Sequence, residues 1–387
     1  LGVNKDEALK LYTIFKDDPQ NFGNAIHAYL KVGKVDKVLE LWTAGLLSGF
    51  PTHIANISGN AMEIPLLNAE TFVAGGMDKV LSLFDKHGSA QRYSREGVSE
   101  IVGMAKGFIP ATKSLIEGLG PIVKFKNRGQ FNVENKFQRQ VGAIKGRKGE
   151  LVRTPFKALE LLDEYFKTLG KHADAQKLAY RKAKTEGLSG NALTKREAEI
   201  TKEFFETPDK HRDIAQQVAK GGRIRTFQEF STDKPYATSF ASLADEVARF
   251  KNSKVPAIKF GSTFIFPFSK TPGNIFDRAI ERSPIGVFHS WKVLDDWKDA
   301  TKAYETKLKT SEQNPGNAGH KRNLDLAKDE MNRLRGVAAD QLARPAIGPA
   351  ARTGKGLMVP QGIITGSGPP DPAKRKLWME ELKAQPY

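Results

Sequence analysis

The chain contains no cysteine. Disulfide staples and thiolate metal sites are therefore excluded. It also lacks any run of about 18 apolar residues, so no conventional membrane-spanning helix is expected. No basic segment followed by a short apolar stretch opens the sequence at Leu1. A secretory signal is thus not expected, and the chain reads as a processed product or as the ordered part of something longer. Acidic residues are in deficit, 44 against 61 lysines and arginines, which leaves a net charge of +17. That imbalance points to a polyanionic neighbour, nucleic acid or an anionic membrane surface; a solvated basic surface would have the same composition. Hydrophobic residues without glycine make up 39%; the roughly 45–50% usual in globular chains counts glycine but not tyrosine, and adding the 35 glycines raises the figure, so a folded chain is allowed, with large exposed areas expected.

Catalytic signatures are absent as well. The seven histidines are isolated from one another, and none stands in His-Glu-x-x-His or another metal-ligand spacing. There is no Gly-x-Ser-x-Gly elbow, Walker loop or dinucleotide fingerprint. The acidic pairs Asp295-Asp296 and Glu380-Glu381 lie in charged helical patterns with nothing to bury them, so they read as solvated faces. The turn "GSGPPDP" (366–372) looks like a phosphate cradle, but its prolines remove the N–H groups a cradle uses. No enzyme activity, metal or cofactor is expected of this segment.

What is present is mostly helical periodicity. Six regions follow from the pattern and composition: a short-helix layer (1–50), a small-residue-rich helical region (51–120), a basic linker arm (121–153), a helical core region (154–250), an apolar stub with charged helices (251–340) and a loop-rich end (341–387). In the first, Ala8, Leu11, Tyr12 and Phe15 share one face, as do Val38, Leu41 and Trp42 of a second helix. Pro51, Pro65, Gly59, Gly75 and Gly76 predict kinked or broken helices in the second region. The helix after it is expected to end at Gly118 to Pro121. In the fourth, Thr154 is an N-cap and Pro155 a first helical residue. Phe156, Leu159, Leu162, Phe166 and Leu169 form the apolar stripe there, with Gly170 dividing the helix. "GGRIRTFQEF" breaks the periodicity and allows a short extended piece. The fold class expected is all-α, an elongated multi-helix assembly with long loops and little or no β.

Two stretches carry interaction chemistry. Residues 124–148 hold eight cations, Lys124, Lys126, Arg128, Lys136, Arg139, Lys145, Arg147 and Lys148, against the single acid Glu134. Aromatic residues are interleaved at 125, 131 and 137. Phosphate contacts need cations and single strands stack on aromatics, so nucleic acid or anionic lipid is one reading and a solvated loop the other. In "STFIFPFSKTPGNIFDRAIERSP", Phe264, Phe266 and Phe268 form an apolar stub, and Thr271 and Pro272 turn it into a helix. Ile275, Phe276, Ala279 and Ile280 give that helix an apolar side; Asp277, Arg278, Glu281 and Arg282 give it a polar one. Core packing is the plain reading; docking to a membrane or to a partner's groove is the other.

Taken in order, "LSGFPTHIANISGNA", "RTPFKALELLDEYFK", "RIRTFQEF", "FIFPFSKTPGNIFDRAIERSP" and "GIITGSGPPDPAKRKLW" resemble the helical region of bacteriophage internal virion (DNA-ejection) proteins and large polyvalent phage proteins. The resemblance covers roughly residues 46–387, and a less apolar stretch before "GIITGSGP" departs from many relatives. It implies a structural protein packed in the virion interior and placed in the host envelope after ejection, where it helps build a conduit for the genome. The partners implied are other internal or portal-proximal virion proteins, further copies of the chain, double-stranded DNA and the host inner membrane. A basic helical DNA- or RNA-binding protein outside any ejection apparatus is the alternative.

Overall fold

The computed structural model describes residues 34–85, 87–123, 144, 146–227 and 270–358, with single positions between 243 and 262. Among them there are ten α-helices and no strand, so the chain is all-α as expected. In chain order they are α1 (Lys34–Leu47), α2 (Phe50–Leu81), α3 (Arg95–Val123), α4 (Gly146–Val152), α5 (Thr154–Thr185), α6 (Gly190–Glu206), α7 (Arg212–Arg225), α8 (Lys270–Glu281), α9 (Gly286–Gln313) and α10 (Ala318–Met358). A 3-10 turn, Pro208–His211, leads into α7. Lys124, Lys126, Arg128, Lys136, Arg139, Lys145, Phe264, Phe266 and Phe268 lie outside the described residues, as does everything beyond 358.

Several helices run further than local sequence predicts. α2 is one helix of 32 residues with Pro65 inside it, where kinks or breaks were expected. α3 continues through Gly118 and Pro121 and ends two residues later, at Val123. α5 passes unbroken through Gly170, because that glycine is where the Arg225 side chain packs: a Cβ there would sit 2.5 Å from Arg225 Cδ. α10 extends through Pro345 and Pro349 into the segment expected to be loop. The stretch at 221–225 ends α7 as helix rather than forming an extended piece. Thr154 does not cap α5. The Lys157 N–H bonds to Arg153 O across it, and its hydroxyl donates backwards to Glu150 O at 3.3 Å.

The described residues divide into two compact units, one with 34–53, 113–123, 144 and 146–162, the other with 54–112, 163–227 and 270–358. In the first, Leu39, Ala44 and Leu47 of α1 are buried, whereas Val38, Leu41 and Trp42, the expected apolar face, are exposed. Arg153 ties this unit together: it donates to Glu40 Oε1 and to Ile144 O, both at 2.9 Å. Glu40 Oε2 accepts the Ile144 N–H at 2.9 Å.

The second unit has three apolar clusters. α5, α6 and α7 meet through Leu178, Tyr180, Leu193, Ile200, Phe204, Ile214 and Val218. α9 and α10 form an antiparallel hairpin over Val293, Trp297, Tyr304, Ala327 and Met331, capped by Leu81 of α2. The Ser290 hydroxyl donates to Gln341 O at 3.0 Å at the far end of that hairpin. A smaller cluster joins Ala111 of α3 to Phe166 and Leu169 of α5.

Candidate functional site: a buried ion-pair lattice and an uncovered apolar face

Several helices of the second unit turn charge inward, α2, α3 and α8 with more than one charged residue each. On α2 the buried face carries Asn60, Glu63, Glu70 and Asp78, spaced so that each lies one or two turns from the next. On α3 it carries Glu96 and Glu100, and on α8 it carries Asn274, Asp277, Arg278 and Glu281, with Arg282 just beyond. For α8 this reverses the expected orientation. The side read as polar and solvated is buried, and Ile275 and Phe276 face outward. The reversal has a physical cause: a buried charge must be paired, and these acids and cations meet one another.

Arg282 forms the densest node. Its Nη1 and Nη2 donate to the two oxygens of Glu63 at 2.6 and 2.7 Å, and its Nε donates to Glu70 at 2.7 Å. Arg344 reaches the same region, 3.1 Å from Glu281 and 3.9 Å from Glu70. Arg225 donates to both oxygens of Asp174 at 3.0 and 3.2 Å and also to Glu100. Lys177 bridges Asp174 and Glu100 at 2.9 and 3.3 Å. Arg181 grips Glu96 with two bonds of 3.0 and 2.5 Å.

Asp78 organises a further corner. One of its oxygens accepts Arg335 Nε at 2.9 Å, and the other accepts the Gln91 N–H at 2.9 Å. Asp85 accepts the His87 and Gly88 N–H groups and pairs with Arg335 at 3.3 Å. Arg92 closes the set with two bonds to Asp340 at 2.8 and 2.6 Å.

A cavity of about 280 Å³ opens within this lattice, lined among others by Glu70, Lys177, Arg181, Arg225, Arg278 and Arg344. Burial alone would raise the Asp174 carboxyl, but Arg225 and Lys177 beside it more than reverse this and hold it below the ordinary carboxylate range. Removal from water likewise acts upward on Asp340, and Arg92 outweighs it, so this carboxyl is lowered too. A group that stays ionised well below neutral and is held by a cation is a structural acceptor, not a general acid working near pH 7. Among the described residues no cluster of His, Asp and Glu has the arrangement of a metal site.

The lowered carboxyls set an acid dependence. A carboxylate depressed in the fold stabilises it above its unfolded value of about 3.9, and that stabilisation is lost as pH falls through the folded value. Melting temperature is expected to be flat above about pH 5 and to drop steeply below about pH 4. Thermal melts from pH 3 to 7 check this, and the Asp340→Asn variant should give a shallower acid limb. An unchanged limb would remove Asp340 from the account.

Outside the lattice lies the second feature. Val98, Ile101, Val102, Phe108 and Ile109 of α3 are exposed, Ile109 by 76%. Phe72 of α2, also exposed, lies beside Gly97 of α3. The opposite side of α3 is built from small residues that let it approach α5 closely. A Cβ at Gly103 would stand 2.4 Å from His172 O, and one at Gly107 would meet the His172 side chain at 2.8 Å. α3 therefore cannot roll to hide its apolar side. A separate exposed group, Ile275, Phe276, Ile285, Phe288 and Trp291, lies on α8 and the start of α9, with Phe288 and Trp291 edge to face at 5.2 Å.

Of the residues expected to carry interactions, Arg147 and Lys148 are exposed on α4 in the first unit. Thr271 and Pro272 fall within the first turn of α8 in the second, since the helix begins at Lys270 rather than at a Thr271 cap. The structure does not bring these two pairs into one unit. Asp277, Arg278, Glu281 and Arg282 were legible as one polar helix side, but the acids of α2 that meet them, and the pairs around Arg225 and Arg335, were not. A signal existed in acids at 63, 70 and 78, seven or eight apart through an otherwise weakly polar helix, with another at 85 just beyond its end. Among the described residues no helix is long and apolar enough to cross a membrane. Comparison with protein-family models, curated proteins and solved structures finds no match to this chain, so its function has to be argued from its own residues.

Proposed function

We propose that this chain is a structural, non-catalytic helical segment of a bacteriophage internal virion protein, delivered with the genome and contributing to a conduit across the host envelope. The observation that carries the reading is the ion-pair lattice. The central acids Glu63, Glu70, Asp78, Glu96, Glu100 and Asp174 are all engaged by cations from other elements, so the polar interior works as a clamp between helices. Such a core gives a specific arrangement of helices for modest net stability, because desolvation offsets much of the Coulombic attraction. That balance suits a protein whose task is to be packed, moved and reassembled. The net charge of +17 favours double-stranded DNA as the polyanion met in the virion, and the uncovered apolar sides favour contact with other virion proteins or with further copies. Contact with the host inner membrane would be at its surface for the described helices.

Duplex DNA binding and peptidoglycan digestion by the purified chain test this together. Binding should weaken with salt by nearly one logarithmic unit per decade for each phosphate neutralised, and substituting Lys124, Lys126, Arg128, Lys136, Arg139, Lys145, Arg147 and Lys148 should flatten that slope. No cleared peptidoglycan is expected. Clearing of peptidoglycan would overturn the structural reading. Salt-sensitive DNA binding by a chain that associates neither with its own copies nor with vesicles would favour a basic nucleic-acid-binding protein outside any ejection apparatus.

A further inference from the structure

We infer that the exposed face of α3 is a contact between two copies of this chain, paired parallel and in register as a short two-stranded coiled coil. The inference deepens the assembly reading above, on which it rests for the expectation that copies meet. Its starting point is spacing. Val102 and Ile109 are seven residues apart, Val98 and Ala105 are seven apart, and Ile101 and Phe108 are seven apart. Placed on a heptad, Val102 and Ile109 take position a, Val98 and Ala105 take d, and Ile101 and Phe108 take g. All six are exposed. β-branched residues at a favour two strands when leucine stands at d; here d is held by Val98 and Ala105, so the two-copy count rests on the extent of the face.

The extent of the face fits the same occupant. Phe72, Val98, Ile101, Val102, Phe108 and Ile109 together expose roughly 650 Å², taking about 200 Å² for a fully exposed large apolar side chain. That exceeds the ~300–600 Å² of the largest patch on an ordinary monomer and approaches the ~800 Å² each partner gives to a stable interface. A lipid surface would need only an apolar arc, with cations on the side of the helix facing away from the acyl chains. The side of α3 away from this face is instead buried in the fold, through Glu96, Glu100, Gly103, Gly107 and Ala111. A seven-residue layering of branched and small side chains is information that only a second helix reads.

Charge sets the direction of the pair. Lys106 lies at position e with its Nζ turned to Gln176 Oε1 at 3.0 Å, which leaves its aliphatic stem along the edge of the face. In a parallel pair that stem covers Ile101 of the other copy. An antiparallel pair would set Lys106 against Lys106. The chain's positive charge also fixes the sign of the salt effect. Two copies at +17 repel, so added salt should tighten the pair, the reverse of its effect on DNA or anionic lipid.

Because the chain has no cysteine, single cysteines report the geometry cleanly. Val98→Cys and Ala105→Cys, tested separately under mild oxidation, are both expected to give disulfide-linked dimers, since equivalent d positions face each other only in a parallel, in-register pair. An antiparallel pair can link at most one of them. By sedimentation, Val102→Glu with Ile109→Glu should weaken self-association by about 100-fold or more. Both sites are exposed, so circular dichroism and melting should stay unchanged. A parent chain that self-associates while this double variant does so equally well would sink the α3 contact and leave the virion reading standing. A parent chain that stays monomeric and binds anionic vesicles through these residues would replace the second copy with a lipid surface. Peptidoglycan clearing would defeat the structural reading and leave the dimer result untouched.

Discussion

Replacing Arg225 with methionine is expected to lower the free energy of unfolding by about 3–5 kcal/mol. Arg225 is 4% exposed, and its guanidinium holds Asp174 and Glu100, both buried. Methionine removes the cation and leaves two carboxylates out of water, with Lys177 as their shared cation and the Asn68 amide on Glu100. The loss measures that orphaning and not the worth of the ion pairs themselves, since desolvation cancels much of their attraction. A second variant separates the two quantities. Adding Asp174→Leu, Glu100→Leu and Lys177→Met to Arg225→Met removes the stranded charges, the Lys177 ammonium included, and should recover most of the stability. Urea denaturation followed by circular dichroism reads both. A loss below about 1 kcal/mol for the single variant would mean that water reaches the site, and the lattice would then have the small energetics of surface pairs.

Two adjacent glycines of α2 should respond to alanine in opposite directions. A Cβ at Gly75 would lie 1.9 Å from Ser94 N and 2.3 Å from Tyr93 C, which are backbone atoms at the entry to α3. Neither can rotate away, so Gly75→Ala must push α2 from the 93–94 segment, at a cost of about 3 kcal/mol or more. The same shift would strain the bonds from the Gln91 and Arg92 N–H groups to Asp78, one turn further along α2. At Gly76 nothing lies within 4 Å. There alanine only improves helix propensity and should stabilise by about 0.5–1 kcal/mol. Thermal melts of the two variants side by side isolate contact from propensity. Equal effects would mean that the approach of α2 to residues 93–94 is looser than these distances state.

The helical character of the chain was legible from local pattern, and so was much of the element list. α6 and the α9–α10 hairpin lie close to where apolar periodicity and the break at "EQNPGNAGH" place them. Two kinds of feature were not legible. One is continuity. Pro65 and Gly170 are breakers by local propensity, worth on the order of 3 and 1 kcal/mol, and packing over a long helix overrides terms of that size. Gly170 is present because Arg225 needs the space, a reason that lies 55 positions away in the sequence and close by only in the fold.

The other is orientation. Periodicity makes a helix two-sided, but it does not say which side turns inward. For α8 the apolar side would ordinarily be buried, and for α1 the face of Val38, Leu41 and Trp42 likewise; both are turned out. Glu63 is satisfied by Arg282 across 219 residues, and Asp78 by Arg335 across 257. A carboxylate on one helix can be buried only when a guanidinium arrives from another, and nothing near either residue in the sequence announces that meeting. Composition by itself determined the absence of cysteine chemistry, the excess of positive charge and the two-faced helices. The tertiary structure alone decided that the charged faces close on one another while apolar faces remain outside, because pairing energy depends on distance in space and not along the chain.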